Sequence, residues 1–119
     1  MKALLVQPMK KPKVIEVESG LAALQKAVHG YIQVVYPFED PVGLVMNEEG
    51  KLEGRPLNRA LYDENGAIYD IIAGDFLVVG LTEESFGSLS GDLLKKYTEK
   101  YEKPEQFVRI NGEIFSIPA

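Results

Sequence analysis

The chain has 119 residues, 45% of them hydrophobic and 26% charged, and its net charge is −5. The chain has no cysteine and a single histidine. This composition excludes thiol chemistry and a zinc site built from several nitrogen or sulfur ligands. The chain lacks the ~18 consecutive apolar residues of a membrane span, and its later part, residues 39–119, carries eight basic and sixteen acidic groups, which would repel nucleic acid. We therefore expect one cytoplasmic domain over residues 1–119, without metal or other cofactor, that binds neither membranes nor nucleic acid.

The first part of the chain predicts a hairpin, a helix and two further strands. KALLVQ and KVIEVE alternate in polarity and form the hairpin. A helix over about residues 19–29 follows, with Ser19 as its N-terminal cap and Gly30 as its left-handed stop. The strands are YIQVVYPF, which is rich in β-branched and aromatic residues, and VGLVMN.

The middle of the chain gives the clearest local pattern. In LYDENGAIYD, the pair Asn65-Gly66 favours a two-residue type I′ turn, because both residues tolerate positive φ. That turn would place Tyr62 opposite Tyr69. The apolar run DFLVVGL predicts a central strand that is covered on both faces.

A second helix, over about residues 90–103, follows with Ser90 as its cap, and QFVRINGEIFSI repeats the hairpin pattern at Asn111-Gly112. Strands and helices do not alternate regularly along the chain. The fold class that we predict is therefore α+β, with a mainly antiparallel sheet built from hairpins and with two helices.

Several segments resemble a known protein family. They are LAALQKAVHGYIQVVYPF, the acidic hairpin NEEGKLEG and the run PLNRALYDENGAIYDIIAGDFLVVG, of which Asn58-Arg59 and IIAGDFLVVG are the most distinctive. Over about residues 13–103 the chain is similar to an uncharacterised family, domain of unknown function 3846. The resemblance implies an accessory role, because members of that family occur largely on phages and mobile elements of Gram-positive bacteria. The resemblance identifies no catalytic or binding residue in this chain.

Arg55, Asn58 and Arg59 form the candidate ligand site. Two guanidinium groups beside an amide, in a loop that Pro56 stiffens, can hold a phosphate-bearing ligand or an acidic partner. The alternative is that they bond to the chain's own carboxylates and fasten a loop. The sequence favours the fastening role, because acidic groups are plentiful after residue 38.

Catalytic groups are scarce. Asp70 and Asp75 are a candidate acid and base pair for a minimal hydrolase, although such aspartates more often cap turns. His29, the one imidazole, lies where the first helix ends, which gives it a capping role.

These patterns favour a small accessory protein that is not an enzyme and that binds another protein. The binding surface that we expect includes exposed aromatic residues such as Tyr36, Phe38, Phe86 or Tyr97. A protein that binds or sequesters a small anionic molecule is the second hypothesis, and the hydrolase is the third. The chain itself is expected to be a monomer or a weak dimer.

Overall fold

The structure is a computed structural model that describes all residues from 1 to 119. Its first half contains β1 (Lys2–Val6), β2 (Lys13–Glu16), α1 (Leu21–Val28), β3 (Ile32–Val35) and β4 (Val42–Asn47). Its second half contains β5 (Leu57–Tyr62), β6 (Ile68–Ala73), β7 (Phe76–Leu81), β8 (Phe86–Gly87), α2 (Gly91–Tyr101), β9 (Glu105–Ile110) and β10 (Glu113–Pro118). Antiparallel strands and two helices confirm the predicted α+β class.

The main sheet has the strand order β2-β1-β7-β4-β3, with the short β8 beside β7. Every neighbouring pair in this sheet is antiparallel. β7 lies at the centre, and its first five residues are buried. The prediction that DFLVVGL forms a central, doubly covered strand is confirmed.

The two faces of the sheet carry separate apolar clusters because side chains alternate along each strand. α1 covers one face, where the buried residues are Ala3, Leu24, Val28, Val45, Leu77 and Val79. α2 and the β5–β6 hairpin cover the other, with Leu4, Val6, Val42, Leu44, Met46, Leu61, Ile72, Phe76, Val78, Leu89, Tyr97 and Tyr101. Alternate residues of a single strand therefore belong to different clusters.

Both predicted helices are present, but the predicted cap is correct only for α2. Ser90 caps α2 as predicted, since its hydroxyl accepts a hydrogen bond from the Leu93 N–H at 3.3 Å. For α1 the predictions of both caps are wrong: the N-terminal cap is Gly20, without a side-chain bond, and the left-handed residue is His29, with φ of 66°. A Cβ at position 30 would lie 2.9 Å from the side-chain nitrogen of Asn47, which donates to the Val28 carbonyl, so a larger residue would displace that side chain.

The two Asn-Gly pairs form different turns. Asn111 and Gly112 both have positive φ, 50° and 83°, and Ile110 pairs with Glu113 across the predicted two-residue turn. At the earlier pair only Gly66 has positive φ.

The register predicted for the earlier hairpin is wrong, because Tyr62 pairs with Ile68 and not with Tyr69. Asp63 sets the longer loop: its carboxylate accepts bonds from the N–H groups of Asn65 and Ala67, both at 2.9 Å. Such side-chain bonds to the backbone compete with a tight hairpin turn.

The β9–β10 hairpin lies outside the main sheet and packs beside β5. Neither helix of the structure has the length and apolar content that crossing a bilayer requires.

Candidate functional site

Asn58 and Arg59 are both buried because β5 contains a bulge. Leu57 pairs with Ala73 and Ala60 with Ile71, so β5 has one residue more than β6 between these pairs. A bulge interrupts the alternation of side chains, and here two consecutive polar residues are enclosed, Asn58 at 0% and Arg59 at 1% exposure. A regular strand would direct one of them to the opposite face.

The Asn58 amide joins two distant segments of backbone. Its nitrogen donates to the carbonyl of Val6 at 2.9 Å and to that of Gly74 at 2.8 Å. Its oxygen accepts from Nη1 of Arg59 at 2.9 Å. The side chain thereby fastens the end of β1 and the β6–β7 turn to β5.

The Arg59 guanidinium bonds mainly to backbone carbonyls. Nη2 donates to Lys10 at 2.8 Å and to Tyr101 at 2.6 Å, and Nη1 reaches Gln7 at 3.4 Å. Burial lowers the pKa of Arg59, while the charge of Glu105 acts in the opposite direction. Its Nε and the hydroxyl of Tyr101 are buried without a hydrogen-bond partner.

Arg55 lies on the surface with other partners. Its Nε donates to Glu53 at 2.9 Å and its Nη2 donates to the carbonyl of His29 at 3.3 Å. The stem of Arg55 packs over Gly74, where a Cβ would come within 2.9 Å of it. The two arginines share no partner. All three residues have internal partners, and ligand binding by them stays a prediction.

Asp70 and Asp75 also have separate environments. Asp70 pairs with Lys51 and accepts from the Ile71 N–H at 2.8 Å. Asp75 accepts from the Gln7 amide at 3.2 Å and lies 3.4 Å from Nε2 of His29. The two carboxylates share no partner, so the geometry provides no support for the hydrolase hypothesis.

The aromatic residues expected at the surface differ in their exposure. Tyr36 is 60% exposed, but Tyr97 is buried, so its predicted exposure is wrong. Phe38 and Phe86 are half-buried, and the ring of Phe38 packs 5.1 Å from that of Tyr97. The periodic pattern Leu93, Tyr97 and Tyr101 is the core face of α2.

A groove of about 940 Å³ lies between the β5–β6 and β9–β10 hairpins. Its walls are mainly apolar and aromatic: Leu57, Tyr62, Ile68, Tyr69, Ile71, Ile114 and Phe115. Its charged groups are Lys51, Asp70, Arg109 and Glu113. Apolar walls with a few charged groups at the margin are typical of sites that hold an organic ligand or a peptide.

Glu105 holds the two hairpins together beside the groove. One carboxylate oxygen accepts from the Ala60 N–H at 3.3 Å. The other accepts from the Tyr62 hydroxyl at 2.9 Å and the Ser116 hydroxyl at 2.5 Å. Burial, together with the nearby Glu105 carboxylate, raises the pKa of Tyr62.

The sequence analysis did not predict this groove, because its walls come from hairpins that are distant along the chain. One signal was present: QFVRINGEIFSI has apolar residues at both alternating sets of positions. A hairpin with that pattern has no fully polar face, and it requires a partner on each side. No group of three His, Asp or Glu side chains comes together in a way that could hold a metal ion.

Comparison with known proteins gives one match. The family whose model matches residues 1–102 is described as "Domain of unknown function (DUF3846)". The matched region extends from β1 through α2 and includes Asn58 and Arg59, whereas β9 and β10 lie outside it. No match is found among curated proteins or among solved structures.

Proposed function

The chain belongs to the DUF3846 family, and we propose that it is a protein-binding domain without enzymatic activity. In this proposal the groove between the two hairpins holds an extended segment of another protein. We also propose that the protein has an accessory role on phages or mobile elements, as the family resemblance implies. Its proposed location is the cytoplasm.

The main support for the proposal is the position of the exposed apolar side chains. Fourteen large hydrophobic residues are well exposed, and five of them line the groove. They are Leu57, Tyr62, Tyr69, Ile114 and Phe115. Concentrated exposed apolar surface marks interaction sites, whereas single exposed apolar residues are common on any protein.

The groups along the groove indicate the chemistry of the partner segment. Lys51 is already paired with Asp70, while the ion pairs of the molecule do not include Arg109. A guanidinium without an internal partner can bind a carboxylate with two parallel hydrogen bonds. We therefore propose an extended apolar segment that carries one acidic group.

Panning a displayed library of random peptides against the purified protein tests this function. Peptides rich in apolar and aromatic residues, with an Asp or Glu, should be enriched on the wild type. Tyr69→Ser should lose them, and Arg109→Gln should lose the acidic preference.

Tyr31→Ser is the matched control, since Tyr31 is 71% exposed and Tyr69 57%, but Tyr31 lies outside the groove. If no peptide is enriched, or if the enriched peptides bind Tyr69→Ser as well as they bind Tyr31→Ser, the proposal fails.

A further inference from the structure

The two edge strands of the main sheet differ in how they are protected from pairing with another chain. β2 lies at one edge and β3 at the other. Charged side chains, lysine above all, blunt an edge strand, and β2 begins with Lys13 and ends with Glu16. β3 has no such protection, because residues 31–38, YIQVVYPF, contain no charged side chain. The edge formed by β3 is therefore open.

The register shows which backbone groups β3 presents at this open edge. The N–H of Glu48 donates to the carbonyl of Tyr31 at 2.8 Å, which extends the β3–β4 ladder by one pair. Along an antiparallel ladder, pairs that exchange hydrogen bonds alternate with pairs that do not. Ile32 and Val34 are at the positions without bonds to β4, so their N–H and C=O groups point out from the open edge. None of the backbone hydrogen bonds outside the ladders involves either residue.

An extended polypeptide backbone is the chemical partner that matches a row of free N–H and C=O groups. In this mode of recognition main-chain hydrogen bonds provide affinity, and pockets for alternate side chains provide specificity. Two exposed rings flank the open edge, Tyr31 at 71% and Tyr36 at 60% exposure, and both can pack against an added strand. We propose that an extended segment of another protein, carrying a lysine or arginine, adds to the main sheet beside β3.

The basic residue of the segment is inferred from a depression at the start of β3. The depression has a volume of about 270 Å³, and Tyr31 forms part of its wall. Its carboxylates are those of Glu49 and Glu53, and no cationic residue lines it. Glu53 is paired with Arg55, whereas Glu49 belongs to none of the ion pairs. An ammonium or guanidinium group can bind Glu49 through charge-assisted hydrogen bonds and lie over the ring of Tyr31.

The wider charge distribution also favours a basic segment. Residues 39–53, which follow β3, carry five acidic groups and one lysine, and the net charge of the chain is −5. Complementary charges steer a partner to its site, and like charges across an interface are unfavourable. A second copy of this chain would bring two acidic surfaces together at this edge. A segment with a positive charge is attracted there instead.

NMR spectroscopy of the full chain tests the proposal with a capped synthetic peptide of alternating valine and threonine that has a lysine at each end. Without peptide, the amide hydrogens of Ile32 and Val34 should exchange rapidly with water. At a peptide concentration of about ten times the Kd, their exchange should slow about tenfold, because only the free fraction of the protein exchanges. The amide hydrogens of Gln33 and Val35, which bond to β4, should change little.

Two modified peptides separate backbone pairing from charge without altering the protein. A copy with methylated backbone amides cannot donate to β3 and should not slow the exchange at Ile32 and Val34. A copy with glutamate in place of both lysines should bind about tenfold more weakly, because it meets like charges. If either modified peptide binds as tightly as the lysine peptide, the proposal is overturned.

Ile32→Pro tests the open edge from the side of the protein. Proline is tolerated at the first residue of an edge strand, and at this position it removes an N–H that β4 does not bind. The Kd for the lysine peptide should rise about tenfold, which corresponds to about 1.4 kcal/mol. Ile32→Val keeps the N–H and should bind like the wild type.

Glu49→Gln tests the depression and should reduce the preference for the lysine peptide over the glutamate peptide. Glu64→Gln is the matched control, because it changes the net charge by the same amount. Glu64 is exposed, belongs to no ion pair and lies outside the depression, so this variant should keep the preference. Equal preferences in the two variants would contradict the role of Glu49.

Two further results overturn the proposal outright. One is unchanged exchange at Ile32 and Val34 in the presence of millimolar lysine peptide. The other is slow exchange at both residues in the protein alone that depends on protein concentration, which assigns the edge to a second copy. Tyr69→Ser, the groove variant, should bind the lysine peptide normally, so a failure at this edge is distinguishable from a failure of peptide binding in the groove.

Discussion

Arg59 is a buried cation whose direct hydrogen-bond partners are all uncharged. It donates to the carbonyls of Lys10 and Tyr101, and the bond to Tyr101 is buried. Hydrogen bonds to charged groups contribute more to stability than neutral ones, and unsatisfied buried acceptors are costly. The chief role of this side chain in the structure is therefore to join β5 to the first loop and to the end of α2.

Replacing Arg59 with methionine should lower the free energy of unfolding by about 2–4 kcal/mol, because the buried Tyr101 carbonyl and the Asn58 side-chain oxygen lose their donor. Arg55→Met is the matched control. Its guanidinium lies at the surface with Glu53, and its loss should cost at most about 1 kcal/mol. Urea denaturation of both variants measures the difference, and equal losses would contradict the role assigned to Arg59.

The ionisation of Asp40 makes the stability of the folded protein depend on pH. Hydrogen bonds from Lys96 at 2.6 Å and Tyr97 at 2.8 Å hold the pKa of Asp40 below its usual value of 3.8. A carboxyl whose pKa is depressed by folding stabilises the protein above its unfolded pKa and loses that contribution as pH falls through the folded pKa.

Asp40→Asn should therefore have a lower Tm than the wild type at pH 7, and the gap should close as pH falls below about 4. Glu84→Gln, at an exposed position without an ion pair, should follow the wild type at every pH. A gap for Asp40→Asn that stays constant down to the lowest pH would contradict the ion-pair contribution.

The sequence analysis placed Arg55, Asn58 and Arg59 in a loop, which is wrong for Asn58 and Arg59 because both lie in β5. It also did not identify the partners of the two arginines. Arg59 bonds to carbonyls that lie 49 and 42 residues away, and only the folded arrangement brings them together. The expected partners were carboxylates, which suits Arg55 alone. Local patterns report side-chain chemistry and carry no information on distant backbone acceptors.

Local sequence patterns are limited in the same way when they are used to predict whole elements, as the two hairpins show. Asn111-Gly112 forms the predicted turn because nothing nearby competes with it. Asn65-Gly66 does not, because Asp63 offers its carboxylate to two backbone N–H groups. The dipeptide alone predicts that a hairpin exists, while its neighbours decide the loop length and therefore which side chains face each other.

Glu105 is the point at which the C-terminal hairpin is attached. Glu105→Ala removes an acceptor shared by the Tyr62 and Ser116 hydroxyls and the Ala60 N–H, at a cost of about 1–3 kcal/mol. We expect faster amide hydrogen exchange over residues 105–118 and little change in the main sheet.

Hydrogen exchange read by mass spectrometry measures this loosening. Glu113→Ala is the control on the same hairpin, since Glu113 is exposed. Protection in residues 105–118 that is unchanged in Glu105→Ala would show that packing, and not this carboxylate, attaches the hairpin.

Considered as a whole, the molecule has its core within the part that matches the family. Both apolar clusters lie between Ala3 and Tyr101, and the family match covers residues 1–102. The fold class could be predicted because it follows from local alternation and turn residues in this region. The groove could not, because it depends on how one hairpin packs beside another.

A chain that ends at Lys103 should fold with the same main sheet and unfold cooperatively, because it retains both clusters and the Tyr101 carbonyl that Arg59 binds. Its Tm should be several degrees lower, since the Ala60 N–H loses its acceptor and β5 loses a neighbour. Circular dichroism with thermal melting checks this, and the absence of a cooperative transition would contradict it.

The bulge that buries Asn58 and Arg59 has a consequence for kinetics. Their hydrogen bonds connect segments from the beginning, middle and end of the family region, so they form only after those segments have come together. Interactions that are completed after the rate-limiting step slow unfolding and leave the refolding rate almost unchanged. The half-life of the native chain in the presence of proteases would then depend on two side chains that are buried in the protein.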